Sequence, residues 1–169
     1  MELWDLYDEN RIPTGETHVR GERIPEGRYH LVVHVWIRNE RGEYLISRRS
    51  ASRPTYPLLW ECVGGSVLAG EDSRSAALRE TLEEVGIRLP ARGGEVVYTH
   101  LRNRVDGVRY ADILDAWLFS YGGEADLSRA TTDEVEQTEW MTPEEIRALE
   151  VKGQLVPSLS YFFTRIAGK

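Results

Sequence analysis

The strongest apolar run along the chain is HLVVHVWI, residues 30–37, rich in β-branched and aromatic side chains. Such a run predicts a buried strand. Asn39-Glu40-Arg41-Gly42 then supplies turn chemistry, and residues 44–47 read as the returning strand of a hairpin. Short edge-type patterns predict further strands over Leu3–Tyr7, residues 59–63, 95–101 and 113–120. Asp8-Glu9-Asn10 and Pro13-Thr14-Gly15 read as turns, and residues 50–57, with two prolines, as a loop. The apolar period changes to that of a helix over residues 71–86. Asp72 or Ser73 suits its N-cap and Gly86 its C-terminal stop. Thr142-Pro143-Glu144-Glu145 is a capping-box start for a second helix. Residues 157–166 read as a last amphipathic helix. No regular βαβ alternation emerges, so the pattern predicts an α+β fold, not a doubly wound one.

The chain has 169 residues and a net charge of −7. We find no repeat or linker and read residues 1–169 as a single domain with a core of ordinary size. The negative balance argues against binding a nucleic-acid polymer. It does not argue against phosphate substrates, because a divalent cation inverts the local field. A single cysteine, Cys62, excludes an internal disulfide framework and a cysteine-rich zinc site. No apolar run is long enough to span a bilayer, and the acidic N-terminus lacks the pattern of a signal peptide. The expected location is cytoplasmic, without a membrane partner. Arginine outnumbers lysine 19 to 2, a bias expected mostly from genome composition and in part from phosphate recognition.

Candidate chemistry concentrates in GGSVLAGEDSRSAALRETLEEVGI, residues 64–87. At about 100° per residue, Glu80, Glu83 and Glu84 share one face of the helix, with Leu78, Leu82 and Val85 opposite. The expectation is a solvent-facing acidic cluster on a helix whose other side is buried. Like charges at this spacing repel by a few tenths of a kcal/mol per pair. A hard divalent cation would offset that repulsion. Gly64-Gly65 lets backbone approach a ligand closely, and Arg79 is placed to pair with Glu71.

The spacing of Gly65, Glu71, Arg79-Glu80, Glu83-Glu84 and Gly86 resembles the signature box of the Nudix superfamily, which hydrolyses nucleoside diphosphates linked to another moiety. A chance match is about one in a million. Thr81 departs from the box, where an aliphatic residue is usual, and a small packing adjustment is expected there. The stretches LWDLYDENRIPTG and HLVVHVWIRNERGEYLISRRS are similar to a branch that includes isopentenyl-diphosphate isomerases and bacterial hydrolase-like relatives, and the tail EVEQTEWMTPEEI also resembles the superfamily. The resemblance implies the Nudix fold, a mixed β-sheet sandwiched between α-helices. It implies Mg²⁺ or Mn²⁺ held by Glu80, Glu83 and Glu84, with the Gly65 carbonyl as a further ligand. Gly65, Glu71, Arg79 and Gly86 become the structural positions of the box.

The implied chemistry is attack of metal-activated water on phosphorus in a small-molecule diphosphate, by a monomer or homodimer. Glu83 and Glu84 are the first candidates for the general base, and Glu136 or Glu134, before Trp140, the second. Asp112 and Asp115 are weighed evenly as an extra acidic ligand or as strand-edge charges. Arg48, Arg49 and Arg53 are the expected phosphate-facing cations, one of Arg48 and Arg49 pointing inward by strand alternation. Arg20 and Arg23 are secondary. The four histidines lack ligand spacing and are expected as hydrogen-bonding residues. Trp36, Trp60 and Trp117 are expected mostly in the core, and Tyr56 in the core or a pocket wall. An isomerase is the competing reading. The family's isomerases need a cysteine at the position of Gly64 and degrade the Glu-Glu pair, whereas this chain keeps Glu83-Glu84 and places Cys62 two residues early.

Overall fold

The computed structural model describes residues 1–105 and 107–169. Nine strands run as β1 (Leu3–Tyr7), β2 (Pro13–Val19), β3 (His30–Arg38), β4 (Tyr44–Arg49), β5 (Trp60–Glu61), β6 (Val63–Ser66), β7 (Glu95–Val105), β8 (Val108–Ser120) and β9 (Val135–Met141). Three helices join them: α1 (Ser73–Val85), α2 (Pro143–Val151) and α3 (Phe162–Arg165). β1 and β2 form a separate antiparallel pair. The main sheet is mixed. β3 lies parallel to β8 from His30 opposite Asp112 to Arg38 opposite Ser120, and antiparallel to β6. β4 pairs antiparallel with β5 and β9 and touches β3 only at Tyr44 opposite Arg38. The sheet therefore splays into two halves behind the β3–β4 turn.

Strand alternation explains the layers. Leu31, Val33, Val35 and Ile37 of β3 face one way, into a core shared with Ala76, Ala77 and Val85 of α1 and Trp117 and Phe119 of β8. Trp36 faces the other way, into a core with Leu118, Ile146 of α2 and Phe162 of α3. A mixed sheet between helices, the expected α+β arrangement, follows from those two apolar faces.

Three expectations need correction. Residues 13–15, read as a turn, begin β2, because pairing with β1 overrides the local turn signal. Residues 135–141, where no strand is expected, form β9, whose pairing with β4 is a tertiary effect. The expected single helix over 157–166 is a 3-10 turn at Pro157–Leu159 followed by the short α3.

One buried node fixes where α1 starts. Asp115 accepts both guanidinium nitrogens of Arg11 at 2.7 and 2.6 Å, the Ser73 hydroxyl at 2.6 Å and the Thr99 hydroxyl at 2.9 Å. Ser73 in turn accepts the Trp117 indole at 2.9 Å. Those cations and hydroxyls hold the Asp115 carboxyl below the ordinary range, although burial acts against them. Arg11 adopts φ +63°, an unfavourable left-handed conformation for this side chain, and the bidentate pair holds it there. Asp112 is likewise locked, to Arg102, by two bonds of 2.7 Å. Both aspartates are buried structural partners, neither extra ligands nor strand-edge charges.

Candidate active site

The site forms where β6 leaves the sheet and returns as α1. Asp72 caps the helix by accepting the Ser75 amide at 2.7 Å, and Gly86 ends it at φ +69° with its amide donating to Leu82. The loop before the helix is tied down by one arginine. Arg79 donates to Glu71 at 2.9 and 2.8 Å and to the Ser66 carbonyl at 3.0 Å, while Glu71 accepts the Leu68 amide at 3.0 Å. These bonds make Glu71–Arg79 the clamp that the spacing predicts.

The third face of the same guanidinium holds two more carboxylates. Arg79 Nη1 donates to Glu80 at 2.8 Å and to Glu83 at 3.2 Å. Glu80 lies so close over Gly65 that a Cβ there would sit on its carboxylate. Gly64 is confined too: a Cβ would come within 2.6 Å of the Val33 carbonyl on the neighbouring strand. Both glycines are thus required by close approach and not by turn geometry.

The burial of α1 differs from the expected one. Ala76, Ala77, Thr81, Glu84 and Val85 are buried, whereas Leu78 and Leu82 are only half-buried along an outer groove. The acidic face is therefore turned toward the glycine loop and the sheet, not toward open solvent. Thr81, the departure from the box, sits fully buried and donates its hydroxyl back to the Ala77 carbonyl at 2.7 Å. Its polar atom is satisfied within the helix, so the chemistry beside it is untouched.

Glu84 is 5% exposed, and its Oε2 has no hydrogen-bond partner among the described residues. Burial raises its carboxyl well above the ordinary range, reinforced by Glu61, Glu80 and Glu134 nearby. Burial also lifts Glu80, to about 7, against the lowering effect of Arg79. Such a cluster is costly without a cation.

A cavity of about 170 Å³ opens beside Glu84, bounded by Gly64, Gly65, Arg49, Arg53 and Glu61. Cys62, His34 and Ser158 also line it. Of the expected cations, Arg49 and Arg53 reach this wall and Arg48 does not. Arg49 is nearly buried, bonded to Glu61 at 2.7 Å and to the Thr55 carbonyl at 2.9 Å. Arg53 pairs with Glu134 at 2.8 Å, and its Nε is buried without a partner among the described residues. Arg48 instead meets Glu136 at 3.3 Å, and Glu136 does not line the cavity. The register shift opposite Arg48 and Arg49 separates the two glutamates. Glu134 acts electrostatically on Glu84, and neither Glu134 nor Glu136 lines the cavity. Arg20 and Arg23 pair with Glu2 and Glu26 away from the site.

Two residues here escaped the sequence reading. Glu61 carries a signal in hindsight, as the only charged residue in the apolar segment LWECV. Burial raises its carboxyl despite Arg49. Tyr161 carries none. Its hydroxyl accepts the Trp36 indole at 2.9 Å and lies 2.7 Å from His34 Nδ1, a contact set by long-range packing. His34 is half-buried, and desolvation of its ring lowers its pKa to about 3. Trp36 and Trp117 are core residues, Trp60 is half-buried, and Tyr56 is exposed at φ +48°.

The side chains present suit a hard divalent cation. Carboxylate oxygens are the donor type such ions take, Glu84 offers an unpartnered oxygen, and Gly65 lets the Glu80 carboxylate lie directly against the loop backbone. Among the described residues no three acidic, histidine or cysteine side chains already converge as a ligand set, since Arg79 holds Glu80 and Glu83.

Comparison with known proteins agrees with this geometry. The model of the NUDIX domain matches residues 28–162. A Nudix hydrolase of Listeria monocytogenes is 37% identical over 165 residues, covering 96% of this chain and 91% of its own. An isopentenyl-diphosphate Δ-isomerase of Streptomyces coelicolor is 35% identical over 58% of this chain and 51% of its own. Among solved structures, the DR0079 protein of Deinococcus radiodurans superposes with TM-score 0.76 and 22% identity over 99% of this chain and the whole of its own, a likeness of fold. No helix among the described residues is long and apolar enough to cross a membrane. The clamp, the glycine loop and the matched span together place the chain in the NUDIX domain family, as a Nudix hydrolase acting on acid-anhydride bonds.

Proposed function

We propose that this chain is a divalent-cation-dependent pyrophosphohydrolase that cleaves a phosphoanhydride bond in a small diphosphate substrate. The observation that carries the reading is the buried Glu84, with an unpartnered oxygen beside a cavity also walled by Arg49 and Arg53. Glu80, Glu83 and Glu84 would hold Mg²⁺ or Mn²⁺, with the Gly65 carbonyl beside them. The ion supplies Lewis acidity toward phosphoryl oxygens and lowers the pKa of water.

The protein's own groups do the rest. Arg49 and Arg53 present fixed guanidinium charge to phosphate oxygens, and charge developing on the leaving group is stabilised there. Glu134, paired with Arg53, would accept a proton from the attacking water. Glu83 and Glu84 are the other candidates for that role. The Arg49–Glu61 pair keeps the wall from collapsing when phosphate enters.

Isomerisation is the weaker reading. Cys62 is 3% exposed and packs with Trp36 and Leu118, and burial raises its thiol well above the ordinary value. Gly64 stands where the isomerases need cysteine. The test is product-resolved assay of nucleoside di- and triphosphates, nucleotide sugars, dinucleoside polyphosphates and isopentenyl diphosphate, with Mg²⁺ and with EDTA. The reading expects cleavage products that disappear with EDTA. Conversion of isopentenyl to dimethylallyl diphosphate without phosphate release overturns it.

A further inference from the structure

One group on the wall of the Glu84 cavity has no part in the carboxylate and arginine contacts: the His34 imidazole. His34 lies on β3 opposite Gly64 of β6. The two edges of its ring meet different surroundings. Nδ1 lies 2.7 Å from the Tyr161 hydroxyl. The Cδ2–Nε2 edge faces the glycine loop, where a Cβ on Gly64 would come within 3.1 Å of Cδ2. A side chain at that position would press on the ring, so Gly64 keeps the edge clear. Nε2 makes no hydrogen bond to a described residue and is not enclosed by protein, so it opens on the cavity that the ring lines.

Donor and acceptor directions fix the tautomer. An indole nitrogen only donates, so the Tyr161 oxygen accepts from Trp36 at 2.9 Å. The Tyr161 hydroxyl carries one proton, and among the described residues His34 Nδ1 is its acceptor. Nδ1 therefore presents its lone pair, and the proton of the neutral imidazole sits on Nε2. Tyr161 is held in place to do this: Trp36 packs edge-on to its ring at 6.2 Å, and Tyr98 lies 5.2 Å away. Desolvation disfavours the charged form of the imidazole and keeps it neutral. Glu84 Oε2 is itself unpartnered, so the Nε2 proton is not spent on it.

We propose that His34 is a catalytic hydrogen-bond donor, its Nε2–H directed at a phosphoryl oxygen of the diphosphate in the Glu84 cavity, and that Tyr161, oriented by Trp36, is the positioning residue that fixes this tautomer. The inference deepens the diphosphate reading and rests on it. With Nε2 protonated, His34 has no lone pair there to offer a cation, so it stands beside the carboxylates as a neutral electrophile and not as a further ligand. A pre-oriented donor in a desolvated site stabilises charge on oxygen without reorganising at the moment of reaction.

Long-range proton–nitrogen NMR of the metal-free protein reads the tautomer without turnover. The expected pattern for His34 is a neutral ring protonated at Nε2, and methylenediphosphonate with Mg²⁺ should move its Nε2 resonance. A ring protonated at Nδ1 overturns the proposal, as does an unmoved resonance while the diphosphonate binds. Tyr161→Phe removes the lock and should give the averaged signal of two tautomers; an unchanged pattern removes the positioning role. Turnover then separates a donor from a space-filling ring, with thermal melts checking each fold. His34→Ala should lower kcat/KM by about 10- to 100-fold. His34→Gln, which keeps an N–H near the Nε2 position, should recover much of that loss. Equal losses in the two folded variants overturn the donor. Normal cleavage in folded His34→Ala overturns the phosphoryl contact alone, whereas a wild type that neither binds methylenediphosphonate nor cleaves any diphosphate overturns the diphosphate reading together with it.

Discussion

Burying Glu84 beside Glu61, Glu80 and Glu134 leaves one carboxylate oxygen without a bond and raises the energy of the charged form. A cation relieves that strain, and a neutral amide avoids it. Glu84→Gln should therefore lower turnover by about 100-fold or more, while the metal-free variant melts at or above the wild-type temperature. Mg²⁺ should raise the melting temperature of wild type more than that of the variant. Steady-state rates and paired melts check all three, and full activity in Glu84→Gln removes the ligand assignment. Cys62→Ser should leave hydrolysis intact, because the thiol belongs to the packed core; an inactive, folded variant would revive the isomerase reading. At this scale the box was legible: Gly65, Glu71 and Arg79 stand in the sequence at the spacing the clamp needs. The orientation of Glu84 was not, since a helical period reports which residues share a face but not which face meets the sheet.

The element that sets the geometry is α1, held at its start by Asp115 and at its middle by Arg79. Asp115→Ala removes the acceptor of four hydrogen bonds and should cost about 3 kcal/mol in urea unfolding. A loss below about 1 kcal/mol would mean that the node is incidental. The capping box of α2 is complete: Thr142 accepts the Glu145 amide at 3.3 Å and Glu145 accepts the Thr142 amide at 2.8 Å. Thr142→Ala should cost about 1 kcal/mol, read the same way. Both helix starts were visible in the chain because caps are local. β2 and β9 were not, because each exists through a partner strand far away in sequence. The same reason hid how Glu134 and Glu136 are separated, which depends on the shift between β9 and β4.

For the whole molecule, two desolvated neutral histidines, buried His30 and half-buried His34, make stability depend on pH. Burial lowers His30 to about 4 and His34 to about 3, from an ordinary 6.5. The folded state thus binds fewer protons than the unfolded chain between those values, so their contribution is complete above about pH 6.5 and falls as pH drops. From pH 7 to pH 5 this histidine term lowers the urea midpoint, while the raised carboxyls of Glu80 and Glu84 act oppositely. His30→Phe, which keeps an aromatic ring stacked on Trp4, should therefore shift the midpoint at pH 5 upward relative to that at pH 7 when compared with wild type. The α+β class was legible from strands and helices that mix without regular βαβ alternation. The splay that opens the site was not, because it depends on β3 and β4 meeting only at their turn. All of this architecture converges on one claim, that the chain breaks a phosphoanhydride bond with the help of a cation. The most direct test is the product-resolved diphosphate assay run in parallel with Mg²⁺ and with EDTA. The account predicts phosphate, pyrophosphate or nucleotide products in Mg²⁺ and none in EDTA. Equal cleavage in both, or a rearranged diphosphate with no phosphate released, would contradict it.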